Sequence, residues 1–148
     1  MKSRLADFEW EHLNDIDLRN FDRMGFEAIP ESREQLQIYL DTGLVYTGLV
    51  DDDVIMIGGV CVVRPKVGFA WLLTSDLVKT NKVFFHKACS VVIDMGVKEH
   101  NLHRLETTII EGHEISKNWA ERIGFEQEGL MRKFDEDGNN YYLYAKVI

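Results

Sequence analysis

Two stretches of the chain combine side chains that bind anions or move protons, and the first is residues 77–84. It contains two cations, Lys79 and Lys82, with the short hydrogen-bonding side chains of Thr80 and Asn81 between them. Lysine attracts phosphate, and a helix N-terminus with free N–H groups also favours an anion. Two solvated lysines beside a helix-capping residue would give the same sequence, so both interpretations stay open.

The second stretch, residues 103–113, contains four candidate proton acceptors: His103, Glu106, Glu111 and His113. Histidine titrates near neutral pH, which favours His113 as a general base, whereas a histidine in a surface loop would have no such role. Glu106 lies in a predicted strand. Side-chain alternation places it opposite Leu105 but leaves open which of the two faces a cleft.

The composition predicts one soluble, cytoplasmic domain over residues 1–148. The chain has 148 residues and a formal net charge of −8, and such an acidic surface repels nucleic-acid backbones. The acidity fits a basic or amine partner, although most acidic proteins are simply soluble. The longest apolar run, residues 54–63, is too short to span a membrane, and the N-terminus lacks the apolar core of a signal peptide. We therefore expect neither a nucleic-acid nor a membrane partner.

The cysteines and acidic clusters do not predict a metal site. Cys61 and Cys89 lie in apolar runs far from any Cys/His pattern, so buried, reduced thiols are expected, with a catalytic thiol as the alternative. The acidic stretches 51–53 and 135–139 lack the ligand spacing of a calcium loop. Both are interpreted as turns.

Hydrophobic periodicity predicts the elements that must position these side chains. Helices come first, then three antiparallel strands, a helix, a strand, a helix and a final hairpin. The predicted helices cover residues 9–24, 31–40, 81–98 and 114–123, and the predicted strands 45–50, 54–63, 69–74, 104–110, 125–134 and 141–147. A strand–helix–strand crossover within a mostly antiparallel sheet is a mixed α/β fold.

The C-terminal third contains short sequences in a characteristic order. HRLET at 103–107 is followed by SKNWAERIGFE at 116–126, EGLMR at 128–132 and YLY at 142–144. Together with the order of elements over 45–148, these sequences resemble the GNAT (GCN5-related N-acetyltransferase) superfamily. The resemblance implies one GNAT-like domain. Its mostly antiparallel central sheet would have parallel, splayed fourth and fifth strands, with helices on both faces. WLLTSD at 71–76, with Trp119, is also similar to small GNAT-like proteins encoded by bacteriophages.

The resemblance implies an acetyl-CoA-dependent N-acyltransferase whose co-substrate lies between strands 69–74 and 104–110. The acceptor would be an unidentified small-molecule or peptide amine that attacks the thioester directly. The residues assigned to the coenzyme come from neighbouring elements: Leu72, Leu73, Thr74, Lys79, Thr80, Asn81, Lys82, Ser116 and Trp119. His113, Glu111 and Glu106 are the candidate catalytic residues. Exposed final strands would allow a homodimer.

Three departures from the family pattern support an alternative. Residues 77–84 contain no glycine, whereas the family's phosphate loop reads [QR]-x-x-G-x-[GA]. The family's asparagine at the head of the helix predicted over 114–123 falls on His113, and the tyrosine that often protonates the departing thiolate falls on Ala120. The alternative is a catalytically silent protein of this fold. It would be a phage structural or host-interaction component, in host cytoplasm or virion, or a CoA-binding sensor.

Overall fold

The computed structural model describes residues 2–18 and 32–148, in which seven strands form one sheet. The strands are β1 (Ser3–Asp7), β2 (Gly43–Val50), β3 (Asp53–Arg64), β4 (Val67–Thr74), β5 (Arg104–Ile110), β6 (Glu126–Met131) and β7 (Tyr141–Val147). The helices are α1 (Trp10–Asp15), α2 (Ser32–Thr42), α3 (Lys82–Glu99) and α4 (Glu114–Arg122), with a 3-10 helix at Asp76–Thr80. None of the helices described is long and apolar enough to cross a membrane.

The sheet has the order β1-β2-β3-β4-β5-β7-β6, and β4 and β5 form its one parallel pair among the strands described. The other neighbours pair antiparallel. This arrangement confirms the predicted mixed α/β fold with a mostly antiparallel sheet and a parallel central pair. Parallel strands need a crossover connection, and α3 supplies it between β4 and β5.

The helices pack on both faces of the sheet. Leu13 of α1 and Leu36 of α2 join one apolar cluster with Ile57 and Leu73 of the sheet. On the opposite face, α3 and α4 cover β3, β5 and β7. Close packing of α3 requires a glycine, because a Cβ on Gly96 would lie 2.7 Å from the Cβ of Val60.

Two predictions about the elements were wrong, and a third is tested only over part of its range. Residues 3–7 form strand β1, paired with β2, although no strand was predicted there. One or two short helices were predicted within 9–24, and α1 is one of them. Leu18 makes an antiparallel bridge with Ser75 instead of lying in a helix, while residues 19–24 lie outside the described residues. Val91 was predicted to lie on the apolar stripe of α3, but it is 46% exposed. The buried face of α3 is shifted by about one residue from the predicted stripe.

Candidate functional site

The parallel strands β4 and β5 separate soon after they begin. They pair at Val67↔Arg104, Gly68↔Leu105 and Phe69↔Glu106, and no pairing follows although both strands continue. Just beyond the last pair, the hydroxyl of Thr107 donates a hydrogen bond of 2.8 Å to the carbonyl oxygen of Ala70. We call this point of separation the fork. Past it, backbone groups of β4 face a gap instead of a neighbouring strand.

Alternation along β4 determines which backbone groups face this gap. The Ala70 carbonyl points toward β5. The Trp71 carbonyl instead lies against Gly58 of β3, since a Cβ added to Gly58 would be 2.9 Å from the Trp71 oxygen. Both backbone groups of one strand residue point the same way, and successive residues alternate. The N–H and C=O of Leu72 therefore face the gap, and those of Leu73 face β3, in register with Ile57. Thr74 lies buried at the end of the strand.

A cleft of about 610 Å³ lies between the beginning of α3 and α4. We call it the basic cleft, because its lining includes five basic side chains: Lys79, Lys82, His86, Lys87 and Arg122. None of the described residues that line it is acidic. In a chain with a net charge of −8, this is a local reversal of sign that favours an anionic ligand.

The N-terminus of α3 has free hydrogen-bond donors beside this cleft. Asn81 is its N-cap residue but makes no capping hydrogen bond, because its side-chain amide donates to the carbonyl of Leu77 at 2.9 Å. The Thr80 hydroxyl donates to the same carbonyl at 3.2 Å. No acidic residue lies in the first turn of α3. Uncapped N–H groups at the positive end of an 18-residue helix form a good anion site.

Several predicted coenzyme residues meet at the basic cleft. Leu72, Lys79, Lys82, Ser116 and Trp119 all line it, so β4, α3 and α4 each contribute. Thr80 and Asn81 instead line an adjoining hollow of about 430 Å³, which shares both lysines with the cleft. The start of α3 is therefore accessible from two sides.

A second, smaller cavity of about 60 Å³ lies at the fork, and we call it the fork cavity. It is lined almost entirely by apolar groups, including Gly58, Ala70 and Ala120. Leu72 and Trp119 line both this cavity and the basic cleft, so they form the wall between them. The Trp119 ring packs against Phe85, with ring centroids 5.3 Å apart, and its indole N–H is buried without an acceptor in the described part of the chain.

Glu106 is held in an ion-pair network. Its Oε2 accepts hydrogen bonds from Arg64 at 2.9 Å and from Arg104 Nε at 2.7 Å. Arg104 also binds Glu128, and this hydrogen bond lowers the pKa of the Glu128 carboxyl. Alternation turns Glu106 to the face opposite Thr107, which lines the fork cavity. The structure thus places Glu106 among arginines and away from that cavity.

His113 and Glu111 lie at the far end of β5. His113 directly precedes α4 and is half-buried, and its Nε2 lies 3.4 Å from the Ser116 hydroxyl. Glu111 is exposed, and its Oε2 accepts from Tyr142 at 3.5 Å. His103 is exposed at the opposite end of the strand. The structure therefore brings His113 beside Ser116, which lines the basic cleft.

The two thiols are buried and free, which confirms the prediction made for them. Burial raises the pKa of Cys89 to about 12 and that of Cys61 to about 11. A protonated thiol is a poor nucleophile, so neither cysteine has the environment of a reactive one. Across residues 2–18 and 32–148, no group of three His, Cys, Asp or Glu side chains is placed to hold a metal ion.

Comparison with known proteins gives matches to solved structures. No family model matches the sequence, and no curated protein matches it. The chain is similar to a GNAT family acetyltransferase from Elizabethkingia anophelis with acetyl-CoA bound: the TM-score is 0.70 at 10% identity, covering 99% of this chain and 98% of that one. An acetyltransferase (GNAT family) from Bacillus anthracis gives a TM-score of 0.72 at 18% identity, covering 99% and 95%. An IAA acetyltransferase from Bacillus cereus gives 0.73 at 12% identity, covering 99% and 100%.

The chain has the GNAT fold. This follows from the agreement in structure over nearly the full length, because the identities are too low to show more than the fold. The fork between β4 and β5 is the splayed pair that the resemblance to the GNAT superfamily predicted. Ala120, which the resemblance matched to that family's tyrosine, is 1% exposed and lines the fork cavity.

Sequence reasoning missed some of the residues that line the basic cleft. Phe85, His86 and Lys87 come from α3, and Ile115 and Arg122 from α4. A signal was present, since Lys82 and His86 are four residues apart and therefore share a helical face. That spacing alone does not distinguish a ligand site from a solvated helix face.

Proposed function

We propose that this chain is a member of the GNAT superfamily that uses acetyl-CoA as co-substrate and transfers the acyl group to an amine. The observation that carries this proposal is the arrangement of the basic cleft, which meets the fork at the wall formed by Leu72 and Trp119. A coenzyme A thioester needs such an arrangement, because its phosphates are anionic and its reactive end is nearly uncharged. The acetyl-CoA bound to a solved structure of this fold gives the proposal further support.

The diphosphate would lie at the N-terminus of α3. The uncapped N–H groups there, with Lys79 and Lys82 beside them, offer charge-assisted hydrogen bonds to phosphate oxygens. The exposed apolar side chains of Val83 and Ile115, 71% and 62% exposed, line the same cleft and would be covered by the ligand. The pantetheine arm would add to the free edge of β4 and pair with the backbone of Leu72.

The reaction would be direct attack of a neutral amine nitrogen on the thioester carbonyl. The new C–N bond forms, the C–S bond breaks, and coenzyme A departs as a thiolate. Thiols ionise at about pH 8.5, so this departure does not require a protein acid, which Ala120 does not supply. The chain would position both partners and accept the ammonium proton. We assign that role to His113, held beside Ser116, with Glu111 as the second candidate.

Glu106 was a third candidate base, and the geometry favours a structural role for it. A carboxylate that accepts hydrogen bonds from two arginines has its lone pairs engaged. The proposed acceptor is the amine of a small molecule or a peptide. The net charge of −8 favours a basic one.

Calorimetry with coenzyme A and acetyl-CoA tests the binding part of this proposal. We expect binding that weakens when Lys82 is replaced by alanine and is unaffected by Lys98→Ala, a change in the last turn of the same helix. Release of free thiol in the presence of a panel of amines tests the transfer. Absence of heat and of a thermal shift at millimolar ligand would contradict the proposal.

A second candidate is a protein that binds coenzyme A without transferring an acyl group. The lining of the fork cavity favours this candidate, because the buried Ala120 has no proton to donate there. Among the residues described, Cys89 is the one titratable side chain that lines the cavity. Binding without thiol release across the amine panel would support this candidate. A phage structural or host-interaction role, suggested by the similarity of residues 71–76, would require no binding of coenzyme A at all.

A further inference from the structure

The fork cavity has a size and chemistry that acetyl transfer alone does not require. Its volume is about 60 Å³, and apolar side chains of Met56, Val92 and Phe125 form much of its lining. Thr107 contributes a hydroxyl, but this group already donates to Ala70. A water molecule needs two to four polar partners to occupy such a space, so the cavity favours an apolar occupant.

Small residues create this space. A Cβ on Gly58 would lie 2.9 Å from the carbonyl oxygen of Trp71, so glycine is needed there for the backbone to fit. Ala70 and Ala120 line the same cavity from β4 and α4. Larger side chains at these two positions would fill it, so the choice of alanine keeps it open.

The boundary of the cavity contains a second observation that points to a ligand. Trp119 separates the fork cavity from the basic cleft, and its indole N–H is buried without an acceptor among the residues described. Buried donors are nearly always paired in folded proteins. An amide or thioester carbonyl of a bound chain that passes from the cleft to the cavity would supply that acceptor.

We propose that the fork cavity is an acyl pocket, and that the preferred donor is a coenzyme A thioester with an uncharged aliphatic chain about two carbons longer than acetyl. This inference rests on the proposed function. A methylene occupies roughly 30 Å³ in a packed interior, so a 60 Å³ cavity accommodates about two of them when the acetyl methyl lies at its mouth, beside Leu72 and Trp119. A carboxylate-bearing chain, such as succinyl, is disfavoured because its charge would lose its hydration there.

The test is a calorimetric series with coenzyme A and its acetyl, propionyl, butyryl, octanoyl and succinyl thioesters. Each methylene added from acetyl to butyryl should tighten binding about fourfold, and octanoyl and succinyl should bind more weakly than butyryl. Equal affinity for all the thioesters, with coenzyme A itself bound, would overturn the acyl pocket and leave the coenzyme site standing. Failure of every ligand to bind would overturn both.

Filling the cavity from two sides provides the matched variants. Ala120→Val and Ala70→Val should each abolish the preference for butyryl while retaining the affinity for coenzyme A. Ala145→Val is the control, because Ala145 is buried like Ala120, at 3% against 1% exposed, but does not line the fork cavity. Thermal unfolding identifies a variant that does not fold. The acyl-chain preference is then tested with the other of the two cavity-filling variants. A folded, cavity-filled variant that still prefers butyryl contradicts the proposal.

Discussion

The two lysines of the basic cleft should contribute unequally to the binding of coenzyme A. Lys82 begins α3, lines the cleft and has no ion-pair partner among the residues described. Lys79 Nζ lies 3.3 Å from Asp76 Oδ1, with the two side chains 59% and 74% exposed. An ion pair so exposed stabilises the folded protein by about 0–1 kcal/mol. This interaction free energy is lost when Lys79 leaves Asp76 to bind a phosphate.

These contacts give the size of the expected effects. A hydrogen bond to a charged group contributes about 1.5–3 kcal/mol, so Lys82→Ala should raise the Kd for coenzyme A roughly 10- to 150-fold. Because of the competition from Asp76, Lys79→Ala should raise it only roughly 2- to 30-fold. Asp76→Asn removes the competitor and should lower the Kd by up to about fivefold.

Isothermal titration at low and high ionic strength measures these effects. The wild-type Kd should rise with salt, and the rise should be smaller in Lys82→Ala, because exposed charges are screened. Lys98→Ala is the control, since 16 helical residues place it about 24 Å from Lys82 along the same helix. The same Kd for Lys82→Ala and Lys98→Ala would refute the assignment of the anion site to the start of α3.

Three further predictions concern the fork, the buried thiol and the proton acceptor. Thr107→Val leaves the Ala70 carbonyl without its donor and should cost about 1–3 kcal/mol in urea denaturation, and an unchanged midpoint would show that this hydrogen bond does not hold the fork. Burial raises the pKa of Cys89 from 9.0 to about 12, so between these values an unfolded chain has lost a proton that the folded one retains. Stability should therefore fall as pH rises through that window, by at most about 1.4 kcal/mol per pH unit, and a slope that Cys89→Ala leaves unchanged would contradict this. His113→Gln can still hydrogen-bond Ser116 but accepts no proton. The value of kcat/KM should therefore fall roughly 10²- to 10⁴-fold, and its pH profile should lose the acid limb, with little change in the Kd for coenzyme A. An unaltered pH profile would favour Glu111 as the base.

The sequence was sufficient for most of the sheet, because period-2 alternation of β-branched and aromatic residues is a strong signal. The predicted strands 104–110 and 141–147 agree with the structure to the residue. Strand β1 was missed because SRLAD is short and two of its five residues are charged, and only its pairing with β2 makes it a strand. The rotation of α3 depends on the fit of Gly96 against Val60, which is a property of packing.

One part of the candidate site could likewise be predicted from the sequence, and another part could not. The resemblance placed Leu72, Lys82 and Trp119 at the coenzyme, and the structure brings all three to the basic cleft. The resemblance could not predict the fork cavity, because the volume of a cavity depends on the side chains of five elements at once. Nor could it show that Glu106 is held by two arginines, because Arg64 is 42 residues away in the chain.

A crystal structure of the protein with acetyl-CoA would locate the diphosphate, the pantetheine arm and the acetyl group in one measurement. The expected arrangement has the diphosphate at the N-terminus of α3 within hydrogen-bonding distance of Lys82 and the pantetheine arm paired with the backbone of Leu72. The acetyl methyl lies at the mouth of the fork cavity, beside Leu72 and Trp119. Acetyl-CoA bound elsewhere on the protein, with the basic cleft empty, would contradict it.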